Sequence, residues 1–313
     1  MNSWMLTLLQ CIFVLLIAPL SIGLVRLFKA RLQGRHGASP FLPYITLATL
    51  LKKQMVISTS TSWVFRVVPF VVLGTNLFLV FVLPLIVTGS AGGSFSNIFV
   101  VAGVLAIGAL FLVLGGLDSA SAFGGMGASR EMTLASLLEP VVVATFGAFA
   151  IASGSSMLND SLLVGGQGLL SNPALIFSVL ALILIIAAEN ARYPVDNPAT
   201  HLELTMVHEA MVLEYSGPYL ALLEYASAIK LCVLSLFISN IVFPMTVITP
   251  QASAVAILLG LIFAVVKLVV CMGLLALLET TIAKMRFYRM QEFMTSAFFL
   301  ALGGLILVLF HSL

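Results

Sequence analysis

Between Glu189 and Gly217 the chain reads ENARYPVDNPATHLELTMVHEAMVLEYSG. Five of its twelve acidic residues fall there: Glu189, Asp196, Glu203, Glu209 and Glu214. So do His201 and His208, two of its four histidines. Carboxylates and imidazoles this close together can hold a metal or hand on protons. His208-Glu209 starts like a zincin helix, but Val212 stands where the second histidine is required, which excludes HExxH. His201 and His208 are seven apart and share a helix face with Glu203 nearby. A metal site and a metal-free pair of neutral or switching histidines both fit that spacing. The metal-free pair is favoured, as a cytoplasmic entrance for protons.

Further ionisable residues interrupt long apolar runs: Glu131, Glu139, Glu224, Lys230, Lys267 and Glu279. At about 1.5 Å per residue, Glu139 lies about 14 Å into its run. On the same measure Glu224 lies about 9 Å into its own run and Lys230 about 18 Å. Lys267 falls near the middle of its run, Glu131 heads one, and Glu189 and Glu279 close two others. Glu224 and Lys230 are six apart, so they do not share a helical face and each needs a partner elsewhere. Glu139 and Glu224 are the nearest acids by depth for Lys230 and Lys267. Ionisable groups in a bilayer are costly and by default mark an ion or proton route. A set of structural ion pairs with snorkelling end groups is the plainer alternative.

The elements that hold these residues follow from composition. The chain has 313 residues, 61% hydrophobic and 8% charged, with a mean hydropathy of +1.18. Soluble domains carry about 25% charged residues, so lipid is the solvent expected here. Net charge is +2 with the bases spread over several connections, which argues against nucleic acid. Cys11, Cys232 and Cys271 stand alone in apolar runs, so disulfides, zinc and iron–sulfur ligation are not expected. No Lys or Arg precedes the first apolar run, which reads as a retained span.

Runs at 4–27, 64–88, 97–117, 130–152, 174–188, 218–242, 253–278 and 293–310 approach the roughly 20 residues of a spanning helix. The expectation is an all-α integral membrane protein, one polytopic domain over 1–313, with eight transmembrane helices. The connections at 28–62, 118–130, 189–217 and 279–292 carry Lys and Arg, among them Arg35, Arg130, Arg192, Lys284, Arg286 and Arg289. Those near 89–96, 153–173 and 243–252 carry none. Positive residues stay inside, so the basic connections are read as cytoplasmic and both termini as outside. Residues 40–54, apolar but too short to span, predict an interfacial or re-entrant helix in the first connection. Asn197-Pro198 suits a helix start, predicting a helix over 198–213. Gly115-Gly116 and Gly124-Gly125-Met126-Gly127 follow no strand, so they are no nucleotide fingerprint; flexible turns or close helix packing explain them.

Taken together these pieces carry a resemblance. Glu189-Asn190-Ala191-Arg192-Tyr193-Pro194-Val195-Asp196, then Glu203-Leu204 and Glu214-Tyr215-Ser216-Gly217, resembles the ENxRxPFD…EL…EYSG signature of the complex I subunit 1 family. That subunit stands at the junction of the two arms of NADH:quinone oxidoreductase. Gly116-Leu117-Asp118-Ser119, Gly127-Ala128-Ser129-Arg130-Glu131 with Glu139-Pro140, and Lys267 followed by Glu279 and Ala283-Lys284-Met285-Arg286 look like the branch found in formate hydrogenlyase and group 4 nickel–iron hydrogenases. The resemblance covers essentially the whole chain.

It implies a multi-pass subunit of a bacterial or archaeal cytoplasmic membrane. Such a subunit docks soluble hydrogenase-like or complex I-like partners, with Arg35, Arg130 and Arg192 as docking residues, and sits beside antiporter-like membrane subunits. It binds no cofactor itself; the partners would carry iron–sulfur clusters and a nickel–iron centre. Buried acids would couple redox chemistry to proton or sodium movement, with Glu131, Glu139, Glu189, Asp196, Glu203, Glu214 and Glu224 in that role. Ala199 and His201 stand where the family often has acids, and Thr46 and Thr49 where relatives have Asp and Lys, so quinone binding is not carried over. A free-standing secondary transporter is the competing reading. Transporters favour inverted repeats and a site reachable from both sides, whereas this chain shows no repeat and only His311 as an ionisable residue within the outer half of the bilayer.

Overall fold

Apolar runs of this length satisfy their own backbone groups only as helices, and helices are what form. A computed structural model describes residues 3–159, 174–192, 195–196, 206–243, 253–281 and 287–312. In chain order the helices are α1 (Ser3–Leu32), α2 (Leu42–Lys52), α3 (Trp63–Val82), α4 (Ile98–Asp118), α5 (Ala122–Ser153), α6 (Ala174–Glu189), α7 (His208–Val212), α8 (Gly217–Val242), α9 (Ala254–Thr281) and α10 (Phe287–Ser312). Among the described residues there is no strand, only an isolated bridge between Asn97 and Met157. Among the described residues seven helices are long and apolar enough to cross a membrane: α1, α3, α4, α5, α8, α9 and the Met290–His311 part of α10. The eighth expected span corresponds to α6, whose 16 described residues fall short on their own.

α8 is the axis of the bundle. Leu231, Cys232, Val233 and Leu234 are consecutive and all buried, so this helix is covered all round rather than along one stripe. α1, α2, α3, α6 and α9 pack against it, and α5 joins α4, α6 and α10 in a second group. Outward faces stay apolar: Leu8, Ile12 and Leu16 on α1 and Leu258 and Ile262 on α9 are exposed, as lipid contact requires.

Two expected boundaries move. The second span ends at Val82, not Thr88, because Pro84 has no N–H to continue the ladder and pushes Leu83 to an extended conformation, φ −77° and ψ 138°. Residues Leu83 to Val87 are nonetheless buried. Two side-chain amides serve that backbone. Gln10 Oε1 accepts from the N–H groups of Ile86 and Val87, and Gln10 Nε2 donates to the carbonyls of Val80 and Leu83. Asn240 Nδ2 donates to the carbonyls of Pro84 and Leu85. Irregular backbone at membrane depth survives where protein satisfies it. The fourth span begins at Ala122, not near residue 130, capped by Ser121, whose hydroxyl accepts from the Gly124 N–H at 3.1 Å. The glycines are there for close packing. A Cβ at Gly124 would sit 2.3 Å from the Gly116 carbonyl oxygen, and one at Gly127 would sit 2.8 Å from that of Val207.

A short helix does form in the first connection, α2, with Leu42, Ile45 and Leu51 exposed. Of the helix expected over 198–213, the described part is α7; 198–205 lie outside the described residues.

Candidate functional site

Glu189 closes α6, and its carboxylate accepts from Lys230 Nζ of α8 at 2.9 Å. Both side chains are largely buried, 9% and 22% exposed. Lys230 therefore pairs across helices, as its spacing from Glu224 requires, but with Glu189 and with neither Glu139 nor Glu224. The α6 C-terminus brings Glu189 closer than depth along separate runs suggests. Glu131, Glu189, His208 and Lys230 line one cavity of about 40 Å³, walled by Asn76 of α3 and Ser227 of α8.

Two further cavities adjoin it. One of about 170 Å³ shares Asn190, His208 and Ser227 with the first and is lined also by Arg26, Arg192, Asp196, Glu209 and Glu224. The other, about 220 Å³, shares Glu131 and Glu189 with it and adds Glu139. Each exceeds the roughly 10–15 Å³ that one water requires. The ionisable residues thus lie along one sequence of cavities: Glu224, Glu209 and Asp196, then His208, then Glu131, Glu189 and Lys230, then Glu139. Eight residues beyond Glu131, or about 12 Å along α5, Glu139 is exposed on the bundle's outer face. Asn190 donates to the Ile186 carbonyl at 2.9 Å, while its Oδ1 finds no hydrogen-bond partner among the described residues. An acceptor like that in a cavity wall suits water.

Local folding fixes the Asp196 end of this series. Asp196, 2% exposed, accepts through Oδ2 from the N–H groups of Val207 and His208 at 3.2 and 3.3 Å. It therefore anchors the start of α7. Burial holds the His208 imidazole down at about 4, and Lys230 acts in the same direction against the pull of Asp196. The ring is neutral at pH 7, able to accept and donate through different nitrogens. Arg130 Nη1 donates to the Met206 carbonyl at 2.9 Å, tying α5 to the same loop.

Other expected site residues are elsewhere. Glu279, 4% exposed, pairs with Lys29 at 3.1 Å and Arg192 at 3.4 Å. That clasp joins α1, α9 and the 190–196 loop. Arg192 is itself 8% exposed; burial lowers its guanidinium from the ordinary value and Glu279 opposes the change. Arg192, expected at a docking surface, is committed to Glu279 inside this chain. Arg130 is likewise engaged inside, so of the three only Arg35 is on the exposed surface. Glu214 is exposed and lines none of the three cavities. Among the described residues Lys267 meets no carboxylate: it donates to Asn240 Oδ1 at 2.9 Å and to the Phe243 carbonyl at 2.5 Å. His201, Glu203, Lys284, Arg286 and the Arg289 side chain lie outside the described residues. Among the described residues no group of three His, Cys, Asp or Glu could hold a metal.

The signature residues around the site are partly architectural. Tyr215 stacks on Phe65 with ring centroids 3.9 Å apart and donates to the Phe65 carbonyl. Ser216 bonds both the N–H and the carbonyl of Val56. Gly217 has φ +54°, and a Cβ there would meet the Gln54 carbonyl oxygen at 2.8 Å. Asp118 Oδ2 accepts from Ser62 and Phe65 N–H groups at 2.9 and 3.1 Å, capping α3 from the end of α4. Asn76, Asn190 and Ser227 were not singled out by sequence reasoning. Asn76 carries the signal that could have found it, a lone amide in an apolar span, which must face protein rather than lipid.

A family model described as NADH dehydrogenase matches residues 5–310. Hydrogenase-4 component C of Escherichia coli K12 is 30% identical over 281 residues, covering 89% of this chain and 87% of that protein. Formate hydrogenlyase subunit 4 of the same organism is 31% identical over 281 residues, covering 89% and 90%. A chain in the structure of a membrane-bound sulfane sulfur reductase, an archaeal respiratory membrane complex, superposes with a TM-score of 0.84. It covers 98% of this chain and 100% of that one at 17% identity, so it supports the fold. The chain belongs to the NADH dehydrogenase family of membrane subunits, the group built like subunit 1 of complex I.

Proposed function

We propose that this chain is the membrane-anchor and energy-coupling subunit of a redox-driven, ion-translocating complex of the formate hydrogenlyase or hydrogenase-4 kind. The observation that carries the reading is the sequence of three adjoining cavities strung with acids from Glu224 and Asp196 to Glu139. Carboxylates, a neutral imidazole and a lysine lining adjoining cavities that are each large enough for water can pass protons without metal or cofactor. The acid-rich end faces the 189–217 loop, where a soluble electron-transfer partner would dock. The exposed Glu139 end suits a neighbouring membrane subunit, antiporter-like by the resemblance.

In this reading α6 is an eighth span, the basic connections face the cytoplasm and both termini face outward, in a bacterial inner membrane. His201 and Glu203 extend the entrance of the route. Iron–sulfur clusters and a nickel–iron centre belong to partners. Glu279, Lys29 and Arg192 hold the entrance together rather than carry protons.

The test is redox-driven ion uptake by vesicles containing the assembled complex, with Glu131→Gln or Glu139→Gln. Retained electron transfer with loss of uptake supports coupling. A subunit that transports ions when purified alone would instead support a free-standing transporter.

A further inference from the structure

The three cavities leave Lys267 aside. It lies 13 residues past Ala254 and 14 before Thr281, the two ends of α9, which sets it near the bilayer midplane. Its ammonium donates to Asn240 Oδ1 and to the carbonyl of Phe243, the residue that ends α8. Both acceptors are neutral, and a helix C-terminus offers about half a unit of negative charge. None of the ion pairs among the described residues includes Lys267. An ammonium has three donors, so one donor and about half of the charge are left over. Lys267 lines an apolar groove of about 700 Å³ between α6, α8 and α9, whose walls include Val266, Val270 and Leu274, all exposed.

Depth selects the kind of anion that completes this lysine. Lipid headgroups begin about 15 Å from the midplane, half the thickness of the hydrocarbon core. A small inorganic anion would have to give up its water to reach that level. A carboxylate belonging to a protein needs only a backbone that satisfies its own hydrogen bonds there, which means a helix. Acids and bases inside a bilayer accordingly pair with one another. Among the described residues, this chain's own acids at membrane depth are committed. Glu189 and Glu279 pair with other bases, while Glu131, Glu139 and Glu224 line cavities that share no residue with the groove. Residues 244–252, which follow Phe243, contain no acid.

We propose that the groove is the docking site of one transmembrane helix of a partner membrane subunit, carrying an Asp or Glu at mid-depth that pairs with Lys267. The pairing rests on the proposed function only in that the chain works inside a complex. It adds a second membrane contact, on α6, α8 and α9, apart from the Glu139 end. The apolar walls make the carboxylate the selective element, because a helix without one would leave the ammonium buried and uncompensated.

Leu274, about two helical turns from Lys267 on the groove wall, is the place for a reporter. Photoreactive p-benzoylphenylalanine is introduced at position 274 and, outside the groove, at the exposed position 258 of α9. The assembled complex is purified and irradiated, and its cross-links are mapped by mass spectrometry. Position 274 should trap a membrane span of another subunit that has an Asp or Glu about 10 Å along its helix from the trapped point. Position 258 should not trap that span. Lys267→Arg should keep the yield of this product and Lys267→Glu should lower it at least fivefold. Lys267→Glu combined with Lys in place of the partner acid should restore at least half of it. Cross-links to lipid alone, to a span without an acid at that level, or to a second copy of this chain overturn the proposal, as does a yield unchanged by Lys267→Glu. If Lys267→Glu does not assemble, the identity of the span trapped on the lysine form decides alone. Redox-driven ion uptake is measured on the same preparation, so that lipid-only cross-links with uptake intact overturn the docking site and leave the proposed function standing.

Discussion

Replacing Glu189 with Gln removes one member of a pair 2.9 Å apart whose side chains are 9% and 22% exposed. At an effective dielectric of about 20 the attraction at this distance is about 6 kcal/mol, and desolvation of the two groups offsets much of it. Breaking a buried pair by removing one partner costs about 3–5 kcal/mol, because the other charge is left uncompensated. Lys230 retains some solvent contact and lies beside Glu131, so the low end applies, about 3 kcal/mol. Lys230→Met should cost a similar amount by stranding Glu189. The double variant Glu189→Gln/Lys230→Met leaves neither charge and should be within about 1 kcal/mol of the parent. The predicted coupling energy is therefore about 5 kcal/mol, well above the spread of independent sites. Thermal unfolding of the detergent-purified complex reads this out, with each single variant melting several degrees lower and the double variant close to wild type. A double variant as unstable as the two singles added together refutes the assignment of Glu189 as the partner of Lys230.

Glu279→Gln should be harsher than Glu189→Gln, since it removes the one carboxylate that both Lys29 and Arg192 pair with, 1% exposed at the acid; yield of assembled complex measures it, and normal yield contradicts the clasp. His208 gives a pH dependence. Its folded value of about 4 lies below the ordinary 6.5, so the unfolded chain binds the extra proton and stability falls as pH drops from about 6.5 to 4. Melting points across that window should flatten in His208→Gln, and an unchanged slope counts against a neutral buried ring. Gln10→Leu strips partners from the buried backbone at Val80, Leu83, Ile86 and Val87. At roughly 1–3 kcal/mol for a buried group left unsatisfied, it should lower the melting point of the complex more than Gln33→Leu at an exposed site.

Much of the fold was legible because lipid makes a simple demand: long apolar runs become helices, and those bounds recur within a few residues for most spans. The second span was misjudged because Leu83, Leu85 and Ile86 are as apolar as the helix before them. Only Pro84 signalled the break, and the amides that stabilise it, Gln10 and Asn240, come from distant helices. The fourth span began early because Gly124 and Gly127 read as loop residues, whereas their missing side chains are what lets α4, α5 and the start of α7 touch. For the site, residue type predicted membership better than pairing. Glu131, Glu189, Asp196, His208 and Lys230 converge, yet which acid meets Lys230 depends on how α6 and α8 lie against one another. That tertiary fact leaves no trace in spacing. Arg192 and Lys267 show the same gap: one turned inward to Glu279, the other to neutral carbonyl groups.

The most direct measurement of coupling is the number of ions taken up per electron by vesicles carrying the assembled complex, compared between wild type and Glu131→Gln. Glu131 lines both of the inner cavities, and the substitution keeps shape while removing the titrating group. The account predicts that electron transfer continues at half the wild-type rate or better, while ion uptake per electron falls at least tenfold. Uptake per electron equal to wild type in Glu131→Gln, with Glu139→Gln equally silent, would contradict it.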